Sequence, residues 1–167
     1  VPHVHYPVLC STAVNQDGRS SSLTAPNGPS QQSVITEALQ QACISSSDVC
    51  NLQMHGTGTP LGDPIEVGAA RAVLRPSRAH DQERPLVCSA SKSAKGHTEL
   101  VAGLVGVIHA MSYVSHGSVS RLLHLRTLNE HVAASMGDRA SSRSIHLPRG
   151  TQSTSCDTGG YGMSSVS

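Results

Sequence analysis

An α/β fold with a mixed or parallel sheet is the architecture this sequence predicts, and three observations carry it. Short apolar runs alternate with longer segments whose apolar residues recur at helical spacing. Stretches rich in Gly, Ser, Asn, Asp and Pro separate them. Two of the apolar runs end in loops where glycine flanks a histidine, at the position where open α/β sheets place their sites.

Taken in order, Tyr6–Val14 reads as a buried strand and Asn15–Pro29 as a turn-rich loop. A helix follows over about Ser30–Ala42, with Ser30 as N-cap and Val34, Ile35, Ala38, Leu39 and Ala42 on one face. Beyond a turn at Ser45–Asp48, Val49–Met54 is a short strand leading into His55-Gly56-Thr57-Gly58-Thr59. The next helix, Asp63–Leu74, has a start signal: Asp63 as cap, Pro64 in the first helical position and Glu66 three residues after the cap. A polar loop, Arg75–Arg84, precedes the strand Leu86–Ala90, and the loop Ser91–His97 leads to a helix over about Thr98–His116, closed by Gly117. That helix is apolar nearly all round and carries Ala102, Gly103 and Gly106, small residues that permit close packing in the centre of a layered fold. Residues 118–167 are polar and poorly periodic, so the chain divides into a core at 6–117 and a weakly patterned C-terminal segment. No internal repeat is visible.

Composition removes several classes of function. With 167 residues the chain can build one domain with a core. Twelve Lys and Arg against eleven Asp and Glu leave neither a footprint for nucleic acid nor a basic run for an anionic membrane. The longest apolar stretch, Leu100–Val114, is interrupted by His109, Ser112 and Tyr113, and a spanning helix needs roughly 20 apolar residues. The first residues, Val-Pro-His-Val, show no signal peptide, and the missing initiator Met suggests a processed product, a fragment or a partial chain. Cys10, Cys43, Cys50, Cys88 and Cys156 form no CxxC pair, so a structural zinc site is not expected; the reading is reduced thiols in a reducing intracellular compartment, cytoplasm or plastid. The histidines have no metal-ligand spacing, and most read as surface residues.

His55 and His97 stand out because each follows an expected strand in a loop with glycine beside it, where backbone can approach a ligand closely. Two imidazoles converging on one carbonyl can donate to a developing oxyanion or enolate, and Lys92, near His97, can orient an imidazole. Spacing alone does not separate this from two ordinary loop histidines.

Longer motifs change that weighting. Val14-Asn15-Gln16-Asp17-Gly18-Arg19-Ser20 with Leu23–Gln31 resembles the ketosynthase stretch VNQDGRS…LTAPNGP. His55–Glu66 is similar to that family's HGTGTxLGDPIE motif, and Lys92–Glu99 with Ala102-Gly103 to its KSNxGHxE…AG motif, in the same order and spacing. The resemblance extends over most of Tyr6–Gly117. It implies the C-terminal half of a thiolase-like fold, a mixed sheet with a central buried helix, from the β-ketoacyl synthase domain of a type I polyketide synthase. The parent activity is decarboxylative Claisen condensation of acyl and malonyl thioesters. By the same resemblance His55 and His97 are catalytic, assisting decarboxylation and stabilising the thioester oxygen, and Lys92 supports the second histidine. Glu99 is the acidic residue near the site, and Thr57 and Thr59 line the pantetheine channel. No resident cofactor is implied, and the phosphopantetheine of an acyl carrier protein is the substrate arm.

The departures are equally specific. No DTACSS-type motif carrying the family's nucleophilic cysteine occurs in these residues, and neither Cys10 nor Cys156 stands in such a context. Ala94 takes the place of the usual Asn, and Gln53 of a frequent Glu. Gly160–Ser165 resembles the GFGG-type loop only in part. Two readings follow: an enzyme segment that works with a cysteine-bearing ketosynthase half, or a ketosynthase-derived structural subunit of a larger assembly. A histidine metal binder finds no supporting spacing. Either way the expected partners are protein, the N-terminal half or other subunits, with carrier protein if active and no nucleic acid.

Overall fold

The computed structural model describes residues 6–18, 26–76, 85–137, 144–149 and 161–164. Four strands form one sheet in the order β3-β2-β1-β4: β1 is Val49–Gln53, β2 Leu86–Ser89, β3 Ile145–His146 and β4 Tyr161–Ser164. All three pairings are parallel, with Gln53 opposite both Ser89 and Ser164. The helices are α1 (Gly28–Ala42), α2 (Gly62–Leu74), the one-turn α3 (Lys92–Lys95), α4 (Ala102–His116) and α5 (Glu130–Ser135).

Every residue of β1 and β2 is buried, as expected of parallel strands covered on both faces. On one face Val49, Leu52, Leu86, Cys88 and Ile145 pack with Ile35 and Leu39 of α1, Val67, Ala70 and Leu74 of α2, and Val132 and Met136 at α5. On the other, Cys50 and Val87 pack with Tyr113 of α4 and Val119. A register shift between Val49 and Asn51 sets Asn51 and Gln53 on the α4 side with Ser89. There Asn51 Nδ2 donates to Val87 O at 3.0 Å, and Ser89 Oγ donates to Gln53 Oε1 at 2.9 Å. These bonds satisfy most of the polar groups in an otherwise apolar layer.

The small residues predicted in α4 do bring it close. Ala102, Gly106 and Ala110 face inward at four-residue spacing, and a Cβ on Gly106 would stand 2.6 Å from Ser164 Oγ of β4. The helix predicted to be buried is buried on that face only. Leu104 (62% exposed), Ile108 (54%) and Met111 (45%) form an uncovered apolar stripe on its outer side.

Other expectations need correction. Tyr6–Val14 is not a strand: Ser11 Oγ donates to Ala38 O at 2.7 Å and Asn15 Nδ2 to Ser30 O at 2.6 Å. The segment is thus tied to α1 rather than to a sheet edge, and strand-forming composition alone supplies no partner. Asn27, not Ser30, caps α1; its Oδ1 accepts from Ser30 N at 3.3 Å, and Pro29 lies in the first turn, where its missing N–H costs nothing. The α2 helix begins one residue before Asp63, and Thr59 Oγ1 accepts from Gly62 N at 3.0 Å in place of the expected Asp63 cap. Before α4, Glu99–Val101 is a 3₁₀ turn, so the α-helix begins at Ala102 rather than Thr98. Residues after 117, which showed no periodicity, contribute α5 and both outer strands of the sheet.

Candidate active site

Two loops leave the C-terminal ends of the adjacent strands β1 and β2, tied together by Met54 N donating to Ser89 O at 2.7 Å. His55 follows β1 by two residues, and Lys92 and His97 follow β2. Gly56 turns the first loop at φ +52°, and a Cβ there would lie 2.8 Å from the Ala90 Cβ of the second, so only glycine lets the loops meet. Gly96, at φ +76°, swings the chain between α3 and His97.

The loops bring the two imidazoles together. Their ring centroids are 5.7 Å apart and their planes 84° to one another, with His55 half-buried and His97 exposed. Each has a hydrogen donor at Nδ1. Glu99 N donates to His97 Nδ1 at 2.9 Å, and the Lys92 ammonium lies 3.4 Å from His55 Nδ1. A donor at Nδ1 assigns the proton of the neutral ring to Nε2, so the network makes both rings Nε2–H donors.

Lys92 thus sits with His55, not with His97 as expected. Its Nζ also donates to His55 O at 2.6 Å, closing a double contact on one residue. Burial is the main cause that lowers the pKa of both groups; for His55 the Lys92 charge adds to it and the Glu66 charge opposes it. Glu99 acts through its backbone, held at φ +46°, while its side chain is exposed. Thr57 and Thr59 are exposed, and the Thr59 hydroxyl is engaged in capping α2.

Glu66 is the residue that sequence reasoning assigned to the wrong task. It is 7% exposed, and its carboxylate accepts from His55 N at 2.6 Å and from Gly56 N at 3.0 Å. Asp63 does the same for Gly58 N at 3.1 Å, and burial raises its pKa. The two acidic groups read as a capping pair instead fasten the His55 loop onto α2.

A separate pocket of about 170 Å³ opens under α4, walled by Gln53, Ser91, His109, Tyr113 and Arg121 among others. His55 and His97 do not line it, so the imidazole pair lies outside this pocket. Among the described residues no cluster of His, Cys, Asp or Glu could hold a metal ion, and no helix is long and apolar enough to cross a membrane. The described cysteines offer no activated thiol: Cys50 and Cys88 are buried, with burial pushing Cys88 up to about 12. Cys43 closes α1 at its C-terminal end, the wrong end of a helix to stabilise an anion. Cys10 is exposed, and Cys156 lies outside the described residues.

The family described as Beta-ketoacyl synthase, C-terminal domain, matches residues 6–126. The chain belongs to the β-ketoacyl synthase family. It is 48% identical over 130 residues to the pikromycin polyketide synthase component PikAII of Streptomyces venezuelae, covering 78% of this chain and 3% of that protein. It is 39% identical over 158 residues to erythronolide synthase EryA3 of Saccharopolyspora erythraea, covering 94% and 5%. Among solved structures, an oxazolomycin ketosynthase domain (OzmH KS8, Streptomyces albus JA3453) matches with a TM-score of 0.75 at 27% identity, over 87% of this chain and 37% of that one. A bacillaene synthase module 6 ketosynthase from Bacillus subtilis 168 matches with a TM-score of 0.75 at 26% identity, over 89% and 26%. The fold is therefore that of a ketosynthase C-terminal region, thiolase-like and α/β, and the polyketide synthase relatives are many times longer than this chain.

Proposed function

We propose that this ketosynthase region supplies the paired-imidazole part of a decarboxylating condensation site acting on thioesters carried by the phosphopantetheine arm of an acyl carrier protein. The observation that carries the reading is the adjacency of His55 and His97, each with a hydrogen donor at Nδ1 and hence its proton at Nε2. In a malonyl thioester, breaking the bond to the carboxylate releases CO₂ and leaves its electron pair as an enolate. Two neutral N–H donors stabilise the enolate oxygen without giving up a proton. Condensation then needs an acyl group on a cysteine thiolate, displaced by the enolate carbon. No described cysteine meets that need, so the acyl-bearing thiolate is assigned to a separate ketosynthase segment. The scattered thiols fit a reducing compartment.

The cysteine placement also favours a second reading, a ketosynthase-derived structural subunit. The test follows malonyl-loaded carrier protein with the 167-residue chain and its His55→Ala and His97→Ala variants, using mass spectrometry of the pantetheine arm. On the proposal the chain converts malonyl to acetyl arms, the enolate carbon taking its proton from water when no acyl thioester is present, and each variant slows this by ~10²–10³-fold, the usual effect of removing one oxyanion donor. Conversion no faster than with buffer supports the structural subunit.

A further inference from the structure

We infer that Glu66 is a positioning residue for His55: its carboxylate clamps the backbone of His55 and Gly56 while Lys92 holds the ring, fixing which imidazole nitrogen carries the proton. The inference deepens the proposed function and rests on it for its catalytic meaning, although its geometry stands apart from any activity.

Two contacts converge on one residue from different helices. From α2, the Glu66 carboxylate receives the N–H groups of His55 and Gly56. From α3, Lys92 Nζ donates to His55 O and faces Nδ1. The His55 peptide is thus gripped at its N–H by a carboxylate and at its C=O by an ammonium, which leaves the backbone little freedom to reorient the ring. A neutral acceptor and a neutral donor would grip less firmly, since charge-assisted hydrogen bonds are roughly twice as strong. The charge does more than hold the loop. A half-buried ammonium beside an imidazole favours the neutral ring, and the buried Glu66 carboxylate opposes that effect on His55 and opposes the lowering of the Lys92 pKa. Among the described residues the groups acting on His55 are Lys92 from α3, Glu66 from α2 and His97 from the loop before α4. Both carboxylate oxygens are used, one for each N–H, whereas a glutamine offers one accepting oxygen and would set an N–H donor against the other backbone N–H.

The experiment is a pH titration of the ¹⁵N-labelled 167-residue chain, reading the His55 ring nitrogens and the His55 and Gly56 amide protons. The wild-type ring is expected as the Nε2–H tautomer, with both amides shifted strongly downfield by the carboxylate. In Glu66→Gln the His55 midpoint falls, because the charge that raised it is gone, and the amides move upfield. In Lys92→Met the midpoint rises and the tautomers mix. If Glu66→Gln does not fold, Glu66→Asp replaces it: the charge recedes by one methylene and the midpoint falls by less in the same direction. A His55 midpoint unmoved or raised in the glutamate variant, or an Nδ1–H tautomer in the wild type, overturns the inference. Failure of decarboxylation with these NMR results intact would remove the proposed function and leave the clamp.

Discussion

At the scale of single residues, the site is a set of constraints on His55. The backbone at Gly56 is one of them. In Gly56→Ala the left-handed φ alone costs about 1–2 kcal/mol, and the contact with Ala90 adds to it. Denaturant melting should show the loss, and an unchanged midpoint would mean that the two loops do not meet as described. Acid sensitivity gives a second check. The folded pKa of His55 lies below its ordinary 6.5, so below 6.5 the unfolded chain takes up a proton that the folded chain refuses. Stability therefore falls as pH drops from 6.5 through the folded pKa, and His55→Gln should flatten that part of the stability profile. The histidines, Lys92 and the glycines were legible because they are local: a Gly-flanked histidine after an apolar run is visible in a linear reading. The role of Glu66 was not. Asp63 and Glu66 have the same spacing whether they cap their own helix or reach a neighbouring loop, and only the packing of α2 beside β1 decides between them.

At the scale of elements, α4 shows what a linear pattern leaves open. Its apolar content and small residues predicted close packing, and Gly106 against Ser164 confirms it. Gly106→Leu should push α4 from the sheet and cost about 1–3 kcal/mol, as overpacking does. Leu104→Lys, on the uncovered side, should change stability by less than ~0.5 kcal/mol while reducing self-association measured by sedimentation. Equal losses in the two variants would show that the inner and outer faces had been misassigned. β1 and β2 were readable as short apolar runs between turn signals. β3 has two residues and β4 includes Gly162, so neither carries enough alternation to be seen, and both owe their strand conformation to the edges of β2 and β1. Tyr6–Val14 failed in the opposite way, having strand-like composition without a paired edge.

At the scale of the whole molecule, a parallel sheet presents two loops at its C-terminal end, and those loops carry an imidazole pair but no activated cysteine. The motifs made this visible in the sequence as a family resemblance, and the geometry adds how the rings are held. On the proposed function, two half-reactions that a complete ketosynthase site would couple are separated: enolate formation, assigned to the imidazoles, and acyl transfer, which needs a thiolate. The most direct measurement incubates the 167-residue chain with acyl-loaded and malonyl-loaded carrier proteins, and follows the pantetheine arms and every cysteine by mass spectrometry. Acetyl arms formed from malonyl arms, no acyl-cysteine and no β-keto product are the expected result. An acyl adduct on any of the five cysteines that turns over to a condensed product would contradict it.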